Sequence, residues 1–228
     1  MNEQRSTERL FFDEHQWATV EAAMSRIIPT DHQPGAREAN TTGFLDRYLS
    51  GIEYVYAKPD GSGFEKLSGK RAEAWRQRIE GLRKVYTEGI AEMDRRSREL
   101  FGDDFRALTE GQQDEVLGAM ESRSGMDEGE QEEHQVAAGY GAPEEEAEPA
   151  MQQTLNESDL LFFPLLVLHT RQGFYGDPVY GGNRDRVGWE VLGFPGPESM
   201  AEVHSGRYST LPYFAESTDH GEEAADGR

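Results

Sequence analysis

The sequence contains no cysteine. This absence excludes disulfides, thiolate nucleophiles and cysteine-ligated zinc or iron–sulfur clusters. The six histidines include no pair spaced i, i+4 on one helix face, and neither a phosphate-binding P-loop nor a Gly-x-Ser-x-Gly elbow is present. We therefore predict no catalytic residue, no metal site and no cofactor in this chain.

Basic charge and long apolar runs are also scarce. The 23 Lys and Arg residues are outnumbered by 44 Asp and Glu residues, which gives a formal net charge of −21. Nucleic acid is not an expected partner, since phosphate binding requires clustered basic side chains. No run reaches the roughly 18 apolar residues of a membrane span, so no direct membrane insertion is expected. The acidity fits either simple solubility or a salt-rich cytoplasm.

The N-terminal residues Met1–Arg9 are polar and mixed in charge. They contain neither an apolar signal region nor a twin-arginine signal. As written, the chain is expected to stay in the cytoplasm, whereas a signal removed from the sequence would place its complex in the periplasm.

Helical patterns dominate what is present, and the predicted fold class is mainly α. Asp13 and Gln16 have the spacing of a capping box, and apolar residues follow at helical spacing until Pro29. Thr109 and Gln112 have the same capping-box spacing and predict the start of another helix. Lys58–Gly69 is predicted to be a loop that can include a short strand. The other predicted helices are Arg37–Ser50, Arg71 to about Leu100, and Leu161–Gln172.

The chain is predicted to form a single domain, 1–228, with its core at about 10–121 and 155–197. Residues 122–150 are rich in Glu, Gly and Ala and poor in large apolar side chains, so we predict a flexible acidic insertion there. Residues 198–228 are predicted to be a polar tail.

A dense cluster of glycine, aromatic and polar residues follows the last predicted helix. Such a segment is expected to be extended and turn-rich, and it has two interpretations. It packs its own aromatic rings over the preceding helix, or it forms a binding surface of rigid rings and forked arginine donors. The candidate partner-binding residues are His169, Phe174, Tyr175, Asp177, Tyr180, Asn183, Arg184 and Trp189.

Two of these residues also have simpler structural interpretations. His169 lies at the end of an apolar helix, where a core histidine is a structural alternative to a ligand or catalytic group. Asp177 precedes Pro178, which is a common way to open a turn.

Two stretches resemble the gluconate 2-dehydrogenase subunit 3 family. The first is GFYGDPVYGGNRDRVGWEVLGFPGP at Gly173–Pro197, and the second is WATVEAAMSRIIPTDHQPGAREANTTGFLDRYL at Trp17–Leu49. The second carries the I-I-P-x-D and P-G-A-x-x-A landmarks of the family. With the helices between them, the likeness covers most of residues 10–197.

The resemblance implies a non-catalytic small subunit of an FAD-dependent sugar or glycoside dehydrogenase. Family members bind a large catalytic subunit of the glucose–methanol–choline oxidoreductase type, which holds the FAD, and they support its folding, stability and often its export. Many members carry a twin-arginine signal that this sequence lacks, which favours a cytoplasmic complex or export by another route.

Two alternatives to this function stay open at this point. In the first, a loop bearing His169, Tyr175 or Asn183 completes the active site of the partner. In the second, the chain is a stand-alone enzyme or small-molecule binder of a new kind. Turnover by the purified chain alone would favour the latter.

Overall fold

A computed structural model describes residues 9–52, 54–58, 62–121, 160–197, 201–202 and 205. The mainly helical class is confirmed: four longer helices and a long central one account for most of these residues. In chain order the helices are α1 (Glu14–Ile27), α2 (Thr41–Leu49), α3 (Gly69–Phe101), α4 (Glu110–Glu121), α5 (Phe162–Tyr175) and the short α6 (Val187–Leu192).

Helix α1 begins as its capping box predicts. The Asp13 carboxylate accepts a hydrogen bond from the backbone N–H of Gln16 at 2.8 Å, and the Gln16 side chain accepts one from the N–H of Asp13 at 3.1 Å. Reciprocal bonds of this kind satisfy two N–H groups that the helix itself cannot pair. The predicted capping box and first helix are confirmed.

Helix α3 is the long axis around which the other helices pack. It has 33 residues and therefore spans about 50 Å. Its predicted apolar face is confirmed, because every one of its members is buried: Trp75, Ile79, Leu82, Tyr86, Ile90 and Met93. Helices α1, α2, α4 and α5 all contact α3, and their apolar faces join one core cluster.

Helix α5 runs through the most apolar part of the sequence. Pro164 occupies the third position of this helix, where the missing backbone N–H has no partner within the helix to lose. Leu165 and Leu166 are fully buried, and α5 packs most closely on α2. The predicted buried helix is confirmed, although it continues to Tyr175 instead of ending at Gln172.

One further helix boundary differs from the sequence prediction, and the loop after α2 has more regular structure than expected. Helix α2 begins at Thr41 and not at Arg37, because Ala36–Asn40 forms a turn that ends with Asn40 in the left-handed region at φ 58°. The loop after α2 contains two short antiparallel strands, β1 (Tyr54–Ala57) and β2 (Phe64–Lys66).

The predicted acidic insertion at 122–150 lies outside the described residues, as does nearly all of the predicted tail at 198–228. Within the described ranges, no helix combines the length and the apolar character needed to cross a membrane.

A single carboxylate fastens the start of the chain onto α2. Asp46 is buried, and its two oxygens accept hydrogen bonds from the backbone N–H groups of Leu10, Phe11 and Phe12 at 2.7 to 2.9 Å. The residues that lead into α1 are thereby held against α2 before α1 begins.

Candidate functional site in the glycine- and aromatic-rich block

The C-terminal block, residues 173–197, is coiled into short helical turns. It begins in the last turn of α5, passes through the 3₁₀ turns Pro178–Tyr180 and Arg184–Arg186, and ends in α6 and the residues after it. The expected turns are present, and Asp177 opens the first by accepting a hydrogen bond from the N–H of Val179 at 2.9 Å. The expected extended path is limited to short connections between these turns.

Asn183 lies at the centre of the block and is fully buried. Its side-chain amide donates to the Gly176 carbonyl at 2.9 Å, and its side-chain oxygen accepts from the N–H of Gly188 at 2.9 Å. Its own backbone N–H donates to the Gly173 carbonyl at 2.6 Å. Asn183 therefore links three parts of the block to one another through its side chain and its backbone, and whether it also contacts a partner stays a prediction.

Two glycines allow the backbone segments to cross at very short range. A Cβ atom on Gly182 would lie 2.2 Å from the Gly173 carbonyl oxygen, and one on Gly188 would lie 2.0 Å from that of Phe174. Real Cβ atoms do not approach other atoms this closely, so any side chain would force the segments apart. These two glycines thus serve the internal packing of the block.

The largest aromatic rings of the block are also directed inward. Phe174 is 1% exposed and Trp189 is 5% exposed, and the Trp189 indole N–H donates to the Tyr175 carbonyl at 2.8 Å. Rings that fill the interior leave little surface for another subunit, and the role of Phe174 and Trp189 as partner anchors stays a prediction. The alternative interpretation, a loop that packs its own rings, describes them correctly.

The C-terminal block rests on a segment far away in sequence, Thr30–Asn40. The backbone N–H of Arg184 donates to the Ala39 carbonyl at 3.1 Å, and the Asn40 side chain donates to the Gly181 carbonyl at 3.0 Å. The two stretches that carry the family resemblance are therefore bonded to each other directly.

The supporting segment is itself held by one carboxylate. Glu38 accepts a hydrogen bond from the Thr30 hydroxyl at 2.7 Å and another from the N–H of Gly35 at 2.8 Å. These two bonds, the hydroxyl bond first, hold the pKa of Glu38 below its ordinary value. The ionised carboxylate consequently closes the turn that precedes α2.

His169 is a core residue. It is fully buried on α5, and its Nδ1 atom lies 2.8 Å from the hydroxyl oxygen of Tyr86 on α3. Its ring also stacks on the Tyr86 ring and packs against Tyr48. This burial confirms the core interpretation, and a partner-binding role for His169 stays a prediction.

Four of the predicted partner-binding residues remain accessible. Tyr175 is 40% exposed and Arg184 is exposed, while Asp177 and Tyr180 are half-buried. Whether they contact a partner stays a prediction.

The sequence reasoning missed three exposed apolar side chains beside these residues. Val179 is 40% exposed, Leu192 is 61% exposed and Phe194 is 39% exposed. With Tyr175, they supply four of the eight large apolar side chains that are exposed in the described part of the chain. The available signal for Leu192 and Phe194 was the concentration of apolar residues at Val187–Phe194, where five of the eight residues are apolar.

A comparison with known protein families agrees with this arrangement. The family model described as gluconate 2-dehydrogenase subunit 3 matches residues 14–196 of this chain. The chain belongs to the gluconate 2-dehydrogenase subunit 3 family. No match of significance was found among the curated proteins or the solved structures.

In this subunit 3 protein the matched range begins at the first residue of α1 and ends within the C-terminal block. It therefore includes the whole Trp17–Leu49 stretch on which the resemblance rested and all of the Gly173–Pro197 stretch except Pro197, together with the bonds that join them. The family is a dehydrogenase subunit family, and membership implies a complex of more than one subunit.

The acidic side chains of the described ranges do not gather with histidine into a group that could hold a metal ion. Of the histidine–carboxylate pairs in the described ranges, His15 with Asp94 is the closer of two, and its atoms Nε2 and Oδ2 lie 2.6 Å apart. Asp94 also accepts from the N–H of Phe105 at 3.0 Å, so this pair ties α1 and α3 to the turn before α4. Its evident role is structural.

Proposed function

We propose that this chain is the non-catalytic small subunit that binds and stabilises a large FAD-dependent sugar or glycoside dehydrogenase subunit. The partner would be of the glucose–methanol–choline type and would hold both the FAD and the catalytic residues. The observation that carries this proposal is the family match over residues 14–196, which makes the chain a dehydrogenase subunit.

The exposed side of the C-terminal block supports a binding role. We call Tyr175, Val179, Leu192 and Phe194 the outer residues. Burying exposed apolar side chains against a partner is favourable because it removes apolar surface from water. Half of the exposed large apolar side chains of the described residues lie in this one segment. Two of them also contact the same residue, because Trp189 bonds to the backbone of Tyr175 and its ring packs against that of Phe194 at 5.3 Å.

The charge of this part of the chain supports the same role. Within residues 160–197, three arginines balance two aspartates and one glutamate, which gives a net charge of zero. The whole chain carries −21. Only six of these 38 residues are charged, against 29% of the whole chain. Depletion of charged residues is typical of the central part of protein interfaces, since each charge that is buried there loses its hydration.

The buried side of the block supports the proposal in a different way. Asn183, Gly182 and Gly188 fix the backbone that carries the outer residues. A surface that is already ordered loses less conformational freedom when it binds, which favours affinity.

The alternative of a shared active site is less well supported. Two of its three residues, His169 and Asn183, are fully buried and bonded within the fold. Only Tyr175 has the exposure that reaching into a partner's substrate pocket requires.

The test is co-expression with a large flavin-binding dehydrogenase subunit of the glucose–methanol–choline type from the same genome. The double variant Leu192→Ser with Phe194→Ser is expected to weaken the complex about tenfold or more, because it removes two exposed apolar contacts. The large subunit expressed alone is expected to show lower yield and a lower Tm than in the complex.

A matched control removes equally exposed leucines elsewhere. Leu100, at the end of α3, is 51% exposed and Leu161, before α5, is 58% exposed. Leu100→Ser with Leu161→Ser should leave affinity unchanged. Equal affinity of both double variants would show that the outer residues are not the interface, and failure of the parent chain to copurify with the large subunit would reject the proposed function itself.

A further inference from the structure

A small aromatic cleft lies where α2, the β-hairpin, α3 and the first 3₁₀ turn of the C-terminal block meet. Its volume is about 30 Å³, which accommodates about two water-sized groups and is too small for a sugar ring. Its walls are mostly aromatic, and the side chains that matter here are Phe44, Arg47, Tyr48, Phe64, Trp75 and Tyr180.

Arg47 supplies a positive charge to this cleft. It is half-buried, and its guanidinium carbon lies 5.9 Å from the centre of the Phe64 ring. Across the residues that the structure describes, its guanidinium group forms no hydrogen bond and no ion pair.

Several other arginines in the described part of the chain have partners of this kind. Arg26 pairs with Asp114 and Glu110, and Arg83 donates to the carbonyl groups of Leu49 and Ser50. Arg47, which lies against Phe64, has no such partner among the described residues, and Arg186 beside Trp189 is in the same state.

Trp75 adds a second donor that lacks an acceptor. Its side chain is only 6% exposed, and its indole N–H is buried without a hydrogen-bond partner in the described part of the fold. Buried polar groups are nearly always paired, because leaving one unpaired after removing it from water is unfavourable. Trp75 is also one of the side chains that line the cleft, so an acceptor bound there lies beside its ring.

We infer that this cleft binds one carboxylate group. One oxygen would accept from the Arg47 guanidinium and the other from the Trp75 indole N–H, while the aromatic walls contact the carbon atoms behind the carboxylate. The cleft volume matches two oxygen atoms, and the two unmatched donors, one of them charged, select an anion over a cation.

Two sources could supply this chemistry: an acidic side chain of the dehydrogenase partner, or a free sugar acid. Binding of the group itself goes beyond the proposed function, because it is a property of the isolated chain. Only the first source rests on the proposed function.

The primary test follows the indole ¹H–¹⁵N resonance of Trp75 in the full chain, with sodium acetate as the probe and sodium chloride at matched ionic strength. We expect a saturable shift of the Trp75 resonance, while those of Trp17 and Trp189 stay in place. Trp75→Phe assigns the resonance.

Two variants with the same change of charge separate a site from general electrostatics. Arg47→Gln should weaken acetate binding at least about tenfold. Arg106→Gln, which removes an exposed arginine from the turn before α4, should leave it unchanged. A Trp75 resonance that does not saturate, or that responds equally in both variants, would overturn the inference.

Further titrations distinguish the two sources. If gluconate saturates the shift at a concentration about tenfold below that of acetate, the ligand is a free sugar acid. If gluconate and acetate bind alike, and the large subunit alone shifts the resonance and displaces acetate, the carboxylate belongs to the partner. A large subunit that binds without affecting Trp75 would reject the partner source while leaving acetate binding as evidence for the cleft.

Discussion

The inner and outer faces of the C-terminal block both carry large apolar side chains, but those of the inner face are buried and those of the outer face are exposed to water. On the inner face, Phe174 and Trp189 are buried and Asn183 is fully bonded. On the outer face, Leu192 and Phe194 remain in contact with water. The difference shows that a segment rich in glycine and aromatic residues need not be a binding surface throughout. Here the inner face packs within the fold and holds the backbone that carries the outer residues in place.

The largest expected effect comes from Asn183→Asp. The substitution keeps the size of the side chain, removes the donor to the Gly176 carbonyl and places a carboxylate at a fully buried position. An uncompensated buried charge costs about 3–5 kcal/mol, so the free energy of unfolding should fall by about that amount. Denaturant unfolding of the full chain measures it. A loss below about 1 kcal/mol would show that the inner face does not hold the block.

The second prediction concerns Gly188→Ala. The new methyl group would lie 2.0 Å from the Phe174 carbonyl oxygen, and the forced separation should cost about 1–3 kcal/mol. Gly81→Ala is the matched control, because a methyl group there meets no atom within 4 Å on the exposed side of α3. This control should stabilise the chain by about 0.5–1 kcal/mol, since alanine favours a helix over glycine. Effects of the same sign in the two variants would contradict the close crossing.

The third prediction tests the segment that supports the inner face. The carboxyl group of Glu38 should titrate below its ordinary pKa of about 4.3 in an NMR experiment, and Thr30→Val should raise that pKa. Because the folded-state pKa is the lower one, the stabilising contribution is complete above the unfolded value and is lost as pH falls through the folded value. An identical Glu38 pKa in the parent and in Thr30→Val would show that the hydroxyl bond is not formed.

The smallest expected effect on stability comes from Leu192→Ser on the outer face. The side chain is 61% exposed, so the free energy of unfolding should change by less than about 0.5 kcal/mol. Thermal unfolding of the isolated chain provides the measurement. A loss comparable to that of Gly188→Ala would mean that the outer residues also serve the fold, and the distinction between the two faces would disappear.

The helices with local signals could be predicted from the sequence. Asp13 and Gln16 lie three residues apart and form the α1 capping box, and the buried face of α3 repeats at helical spacing. Both depend on interactions between near neighbours in the chain, which a sequence shows directly.

What could not be predicted depends on partners far away in sequence. Helix α5 continues past Gly173 because that glycine packs against Thr41 and Phe44 of α2. The burial of Asn183 follows from the folded path of the block, since a polar residue in a glycine-rich segment is ordinarily exposed. The accessible residues of the site were therefore predicted only in part, and Leu192 and Phe194 were missed.

The bonds between the Thr30–Asn40 segment and the C-terminal block also affect when this part of the protein can fold during its synthesis. Asn40 donates to Gly181, 141 positions later in the chain. During synthesis at about 5–20 residues per second, this partner emerges many seconds after Asn40 has left the ribosome. Contacts of such long sequence separation also form slowly. The outer residues therefore take their final positions last, so a chain still being translated does not yet present the surface that its partner would bind.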